Sequence, residues 1–406
     1  MTIRRLLSTA WIRQAVQEVR ASYWFLPACA MVAALVLAWA INWADGALVE
    51  AEADLPQVMT GLDADGARTL ISTIASAVIG VTGVMFSLTI VAVTHAAGKY
   101  GPRLIGNFLR DRGNQTVLAI LIGVFTFAVV NLWLMGGPED RVPHLVVAAT
   151  FVSIFPAIAA VIYFIHHVPE TINVSNIAAG LGGTLIRMVR EEIDGQQDEA
   201  EPRDAPDRDP DATLRPDGGG YVQAVDFEGL EGWAEARDAV LRVEAMPGSF
   251  VAPRGSWLSV WGAEPDETVE RAIALGAQPT ETQTITFVAD QLVEMCALAL
   301  SPGVNDPFTA ITCLDWLAAG LMEALEHGEG LRARTRGRVI RADLDFAALY
   351  ARAFPAAAPY VKDDAMAAAH AERLVADLAR RAERGGWPPR IVRTLRADAR
   401  RFRDAA

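Results

Sequence analysis

Residues 70–94 read LISTIASAVIGVTGVMFSLTIVAVT, from Leu70 to Thr94, and this uncharged apolar run decides the fold. It exceeds the roughly 20 residues that a helix needs to cross the hydrocarbon of a bilayer. In heptads, Thr73, Gly80, Ser87 and Thr94 share one column, and Thr69, Ser76, Gly83 and Ile90 share the next. In lipid such a seam lets backbones approach closely and hydroxyls bond across an interface. Two uses follow. The seam packs against a helix of its own subunit, or copies of it meet in a homo-oligomer and line a narrow path.

Working outward, the remaining apolar excess of a chain that is 52% hydrophobic over 406 residues lies before residue 170. Residues 23–43 form a run bounded by Trp24 and Trp43, which suits an uncleaved anchor with aromatic belts rather than a signal peptide. Residues 115–135 and 142–165 supply two more spans, with Asn131 expected to bond between helices and Pro156 to kink its own. Arg4, Arg5, Arg13 and Arg20 precede the first span, and Lys99, Arg103, Arg110 and Arg112 follow the second. The connection over 45–65 is acidic. By the positive-inside rule both termini are cytoplasmic, and the protein is expected in a bacterial inner membrane, in contact with the lipid bilayer.

Residues 169–194 read as an amphipathic connecting helix and 195–217 as an acidic linker. From Gly218 to Ala406 a cytoplasmic α+β domain is expected: a small mixed β module, then helices. Strands are predicted at 221–225 and 239–244, a hairpin over 249–261 around Pro253-Arg254-Gly255-Ser256, and helices at 227–237, 266–275, 284–300, 307–326, 344–353 and 364–384. The basic tail, Arg380 to Arg403, divided by Gly385-Gly386-Trp387-Pro388-Pro389, is a candidate contact for anionic lipid, with Trp387 at the interface. The fold class is thus a membrane protein with a four-helix transmembrane domain and a cytoplasmic α+β domain.

Between two of the helices stands Ser301-Pro302-Gly303-Val304-Asn305-Asp306-Pro307-Phe308-Thr309-Ala310. Pro302 and Gly303 end one helix, Asp306 caps the next and Pro307 fits its first turn, so a helix-turn-helix corner accounts for it. The alternative is a ligand or subunit contact built from Asn305, Asp306 and Thr309. The decapeptide, followed by Cys313-Leu314-Asp315, resembles the signature of a widespread family of predicted bacterial inner-membrane proteins known only as a domain of unknown function. The resemblance extends to Lys99-Tyr100-Gly101-Pro102-Arg103-Leu104, Phe164-Ile165-His166-His167, Gly220-Tyr221-Val222-Gln223 and Gly248-Ser249-Phe250-Val251. It implies four membrane helices plus a cytoplasmic domain and no defined activity. Relatives tend to carry an acid before the helix that opens here with Gln283-Thr284-Ile285.

The net charge of −13 and the absence of a basic stripe with interleaved aromatics argue against nucleic acid. Cys29, Cys296 and Cys313 are too few for a disulfide framework and read as buried thiols. No phosphate loop, nucleophile elbow or His-Glu-x-x-His helix occurs, so neither enzyme nor cofactor is expected. His95, His166 and His167 fall at the cytoplasmic membrane boundary without a fourth ligand, and no metal is assigned. The expected function is an oligomeric channel or pore with a cytoplasmic regulatory domain. The alternative is a membrane-anchored sensor or scaffold.

Overall fold

The computed structural model describes residues 22–50, 63–100, 111–135, 142–195, 206–216, 218–277, 284–332, 335–336, 338–341 and 344–405. The N-terminal arginines, most of the acidic loop, the basic connection 101–110, the turn 136–141 and linker residues 196–205 lie outside them. The chain divides into two units: Met1–Gly98 with Pro102–Asn173, and Val174–Ala406 with Lys99–Gly101.

The first unit contains α1 (Phe25–Glu50), α2 (Ala64–Tyr100), α3 (Arg112–Leu134), α4 (His144–Val152) and α5 (Ile154–Ile172). α2 starts well before its apolar run because the Asp63 carboxylate accepts from Gly66 N at 2.9 Å and caps the helix. The fourth span is broken at Ser153, one turn before Pro156, whose ring cannot supply an N–H to the Val152 carbonyl. α1 and α3 approach closely where Gly123 faces Ala30, 3.6 Å from the position a Cβ would take. α2 buries Ala67, Ile71 and Ala75 against Ala128, Val146 and Val147, and Ile74, Val78 and Met85 against Leu121, Ala160 and Phe164. Trp39, Trp43 and Trp133 point outward.

The second unit opens with α6 (Val174–Asp194), which buries Leu181, Leu185 and Val189. The expected linker is partly structured: Ala212–Leu214 forms β1, whose backbone pairs with a strand of the sheet. β2 (Gly220–Val225), α7 (Phe227–Arg237), β3 (Val240–Val243), β4 (Phe250–Val251), β5 (Leu258–Trp261), a single turn α8 (Glu267–Glu270) and β6 (Ile273–Gly276) follow. The predicted helix over 266–275 is therefore one helical turn followed by a strand, because Ile273 and Leu275 alternate onto the core while β6 pairs with β2. The predicted hairpin over 249–261 is absent. β4 joins the three-stranded sheet β4-β2-β6, and β5 the five-stranded sheet β1-β5-β3-β8-β7, with β7 (Thr335–Arg336) and β8 (Val339–Arg341) coming from later in the chain. Val222, Val251, Leu241, Leu258, Trp233 and Trp257 fill the core between the sheets and α7.

Among the described residues six helices complete the unit: α6 with α9 (Ile285–Ala299), α10 (Pro307–Glu326), α11 (Phe346–Val361), α12 (Ala365–Arg384) and α13 (Pro389–Ala405). α10 packs against α6, α9, α11 and α12. α11 runs past its expected end at residue 353 because Pro355 and Pro359 sit on its exposed side, where water satisfies the carbonyls they leave unbonded.

Candidate functional site

α2 presents its small residues away from its own subunit. The buried positions Ile71, Ile74, Ala75, Val78, Thr82 and Met85 mark one face. At about 100° per residue, Thr69, Thr73, Ser76, Gly80, Gly83 and Ser87 lie roughly half a turn from that face, and all six are exposed in the single chain. A Cβ added at Gly80 or Gly83 would meet nothing within 4 Å. Among the described residues the seam thus packs against no helix of its own subunit; larger side chains do that work on the opposite side. Two of its hydroxyls are satisfied within the helix, Thr73 donating to Thr69 O at 2.7 Å and Thr94 to Ile90 O at 2.8 Å, so at those positions the face tolerates an apolar neighbour.

Polar groups inside this unit tie its helices together. Asn131, wholly buried, accepts from Asn42 Nδ2 at 2.6 Å, the expected interhelical bond. Asp45, near the end of α1, accepts from Leu145 N at 2.8 Å and supplies the first turn of α4 with the cap that Pro143 cannot. Arg68 donates to the Met135 carbonyl at the end of α3. At the opposite ends of α3 and α5, His167 Nε2 lies 2.8 Å from Asp111, whose carboxylate also caps α3 through Asn114 N. Gly113 makes room for that imidazole, and Tyr163 stacks on it at 4.8 Å. His166 instead bonds the Ile162 carbonyl, and the His95 side chain lies outside the described residues. Sequence reasoning missed Asp45 and the Asp111–His167 pair because neither belongs to a local pattern.

In the second unit the 301–310 corner is closed by its own groups. Ser301 Oγ donates to Leu298 O, the Asp306 carboxylate accepts from Thr309 N at 3.1 Å and Thr309 Oγ1 at 2.6 Å, and Asp306 N reaches back to Ala299 O. Asn305 takes the left-handed conformation at φ 48°, which Asn tolerates. Pro307 occupies the first turn of α10, while Pro302 and Gly303 stay exposed. Capping leaves one residue unexplained: Phe308 is 72% exposed.

Three expectations are corrected. Trp387 is not free for a membrane interface: its Nε1 donates to Leu325 O and its ring packs on Phe346 at 5.4 Å. Many of the tail's arginines are engaged, Arg381 with Asp377 and Glu326, Arg396 with Glu383, Arg401 with Asp398 and Arg403 with Glu372. Among the thiols, Cys29 is exposed on α1, whereas Cys296 and Cys313 are buried, and burial pushes Cys296 up to about 12 and raises Cys313 as well. Among the described residues no group of three His, Cys, Asp or Glu side chains is placed to hold a metal.

Long apolar helices with lipid-compatible outer faces, joined in one chain to a mixed α+β unit, define a membrane protein. The chain belongs to the family described as predicted membrane protein DUF2254, which matches residues 20–377. It is similar to uncharacterised proteins of Mycobacterium tuberculosis and Mycobacterium bovis, each 29% identical over 268 residues covering 62% of this chain. The chain spans about half the length, 51%, of those relatives. No solved structure matches it.

Proposed function

We propose that the protein is a four-span inner-membrane homo-oligomer with both termini cytoplasmic, in which copies of α2 meet through the face from Thr69 to Thr94. Around an axis, that face leaves a narrow path lined by hydroxyls and glycines, and the α+β unit regulates it. The observation that carries the reading is the placement of Gly80 and Gly83 opposite the face that α2 buries in its own subunit. A purely lipid-facing surface has no need of small residues, whereas a helix partner does.

Among the described residues five helices are long and apolar enough to span, the fifth being Pro307–Glu326. We count four, because α10 is enclosed by other helices of its unit and carries Asp315 paired with His370 and Glu326 paired with Arg381. The reading assigns no catalysis. Contact with anionic lipid rests on the arginines of α13 that have no carboxylate partner among the described residues.

The test is the subunit number of the full chain in nanodiscs, with ion flux in liposomes. An assembly whose projection shows α2 helices around an axis, together with flux, supports the channel. A monomer sinks the oligomer, and an assembly with no conductance under voltage or tension leaves the sensor or scaffold reading in its place.

A further inference from the structure

The five-stranded sheet of the second unit has one face on the core and one turned outward. Leu241 and Val243 of β3 enter the core, so the alternate residues Arg242 and Glu244 project from the outer face. Their backbones are roughly 7 Å apart, the advance of two residues along a strand. Ser259 lies beside Arg242 on β5, and Thr213 beside Ser259 on β1.

Residues 206–211 cross this face as a strap and leave an open, polar cleft of about 740 Å³ against Arg242, Glu244, Thr213 and Ser256. The strap is fixed. Trp261 Nε1 donates to Arg208 O at 3.0 Å, Asp211 N to Val260 O at 2.8 Å and Gly262 N to the Asp211 carboxylate at 2.7 Å. Arg208 closes a two-pronged pair with the same carboxylate at 2.7 and 2.9 Å.

Within the cleft the charges are of both signs and uncommitted. Arg242 has no ion pair among the described residues, and Glu244 none either, its carboxylate only accepting from Ser259 Oγ at 2.6 Å. The Ser256 hydroxyl, in the floor, is buried without a partner among the described residues. Asp207 and Asp209 of the strap add negative charge at the rim, while Arg208 is neutralised by Asp211. A simple anion meets Arg242 but is opposed by three carboxylates, and a simple cation is opposed by Arg242. A molecule carrying both charges satisfies the two unpaired groups together.

We propose that this cleft binds a small zwitterion, its acid group on Arg242 and its ammonium on Glu244. That chemistry comes as a free amino acid or as the phosphoethanolamine headgroup of a lipid. The inference is independent of how α2 assembles.

The test titrates full-length protein in a non-ionic detergent with glycine, glutamine and O-phosphoethanolamine, read by calorimetry. Inorganic phosphate and ethylamine serve as single-charge controls. Saturable binding of a zwitterion is expected at concentrations where neither control binds, with affinity falling about tenfold or more in Arg242→Gln and in Glu244→Gln, as for a lost charge-assisted hydrogen bond. Both side chains are exposed and Gln at 244 keeps an acceptor for Ser259, so the variants should melt with the parent. Binding of O-phosphoethanolamine without the amino acids identifies the headgroup, and the reverse identifies free amino acids. The proposal is overturned by no saturation at millimolar ligand, by zwitterion binding unchanged in both variants, or by phosphate binding equally well with no effect of Glu244→Gln.

Discussion

At the scale of single residues, side chains with local partners were legible in the sequence and those with distant partners were not. Asp306 was readable because its acceptor role depends only on Thr309, three positions on. Its replacement by Ala should cost about 0.5–2 kcal/mol. Asp306→Asn should cost less, since an amide oxygen still accepts from Thr309 N; thermal unfolding of both variants checks this, and equal loss would count against capping. Asp211 gives a pH-dependent counterpart. The Gly262 N–H, then Arg208, holds its carboxyl below the ordinary 3.8. A group whose folded value is depressed contributes above its unfolded value and loses that contribution as pH falls through the folded one. The strap should therefore be fully held near neutrality and loosen below pH 3.8, seen as a falling protection factor of the Gly262 amide, its exchange rate being compared with the intrinsic rate at the same pH. A protection factor there that ignores acidification would contradict the assignment. Asp45 and His167 had no such signal, their partners lying 100 and 56 residues away.

At the scale of elements, periodicity located the apolar runs and the long helices, yet it could not choose strand partners. The turn over Pro253-Arg254-Gly255 forms, with Gly255 N donating to Ala252 O at 2.8 Å and Arg254 at φ 64°. Its flanking strands nevertheless enter different sheets, because β5 finds β1 and β3 while β4 finds β2. Local turn chemistry thus fixes a reversal and leaves pairing to long-range burial. The same limit applied to α2: its seam was visible as heptad columns, but which side its own subunit covers was not. The small face makes a definite prediction. If α2 is the proposed interface, Gly80→Leu and Gly83→Leu should weaken assembly by adding bulk where backbones would meet, whereas Val81→Leu, about a third of a turn from the seam, should leave it near the parent. Cross-linking in nanodiscs reads this directly, and parental assembly in both glycine variants would remove α2 as the interface.

At the scale of the whole molecule, the C-terminal charge is the feature whose use the structure changes most. The sequence presented Arg380 to Arg403 as a basic tail of two helical pieces, a candidate contact for anionic lipid. In the structure α13 is an amphipathic helix packed on α12 through Val392, Leu395, Ala399 and Phe402. Deleting residues 387–406 would therefore uncover core and test folding rather than lipid contact. What remains outward is narrower. Arg390, Arg393 and Arg400 are exposed and have no carboxylate partner among the described residues, and Ala397 lies between the last two. The second unit is joined covalently to a membrane unit, and under the proposed lipid contact each arginine without a carboxylate partner that reaches an anionic surface would contribute about 1 kcal/mol at physiological salt. A fluorophore placed on Ala397→Cys, in full-length protein whose native thiols are replaced, should report a lipid-dependent shift in anionic nanodiscs that fades as salt rises. The triple variant Arg390→Gln, Arg393→Gln and Arg400→Gln should abolish the shift while the melting temperature holds, since all three guanidinium groups stand away from the core. A signal identical in neutral and anionic nanodiscs would show that this arginine face meets water alone.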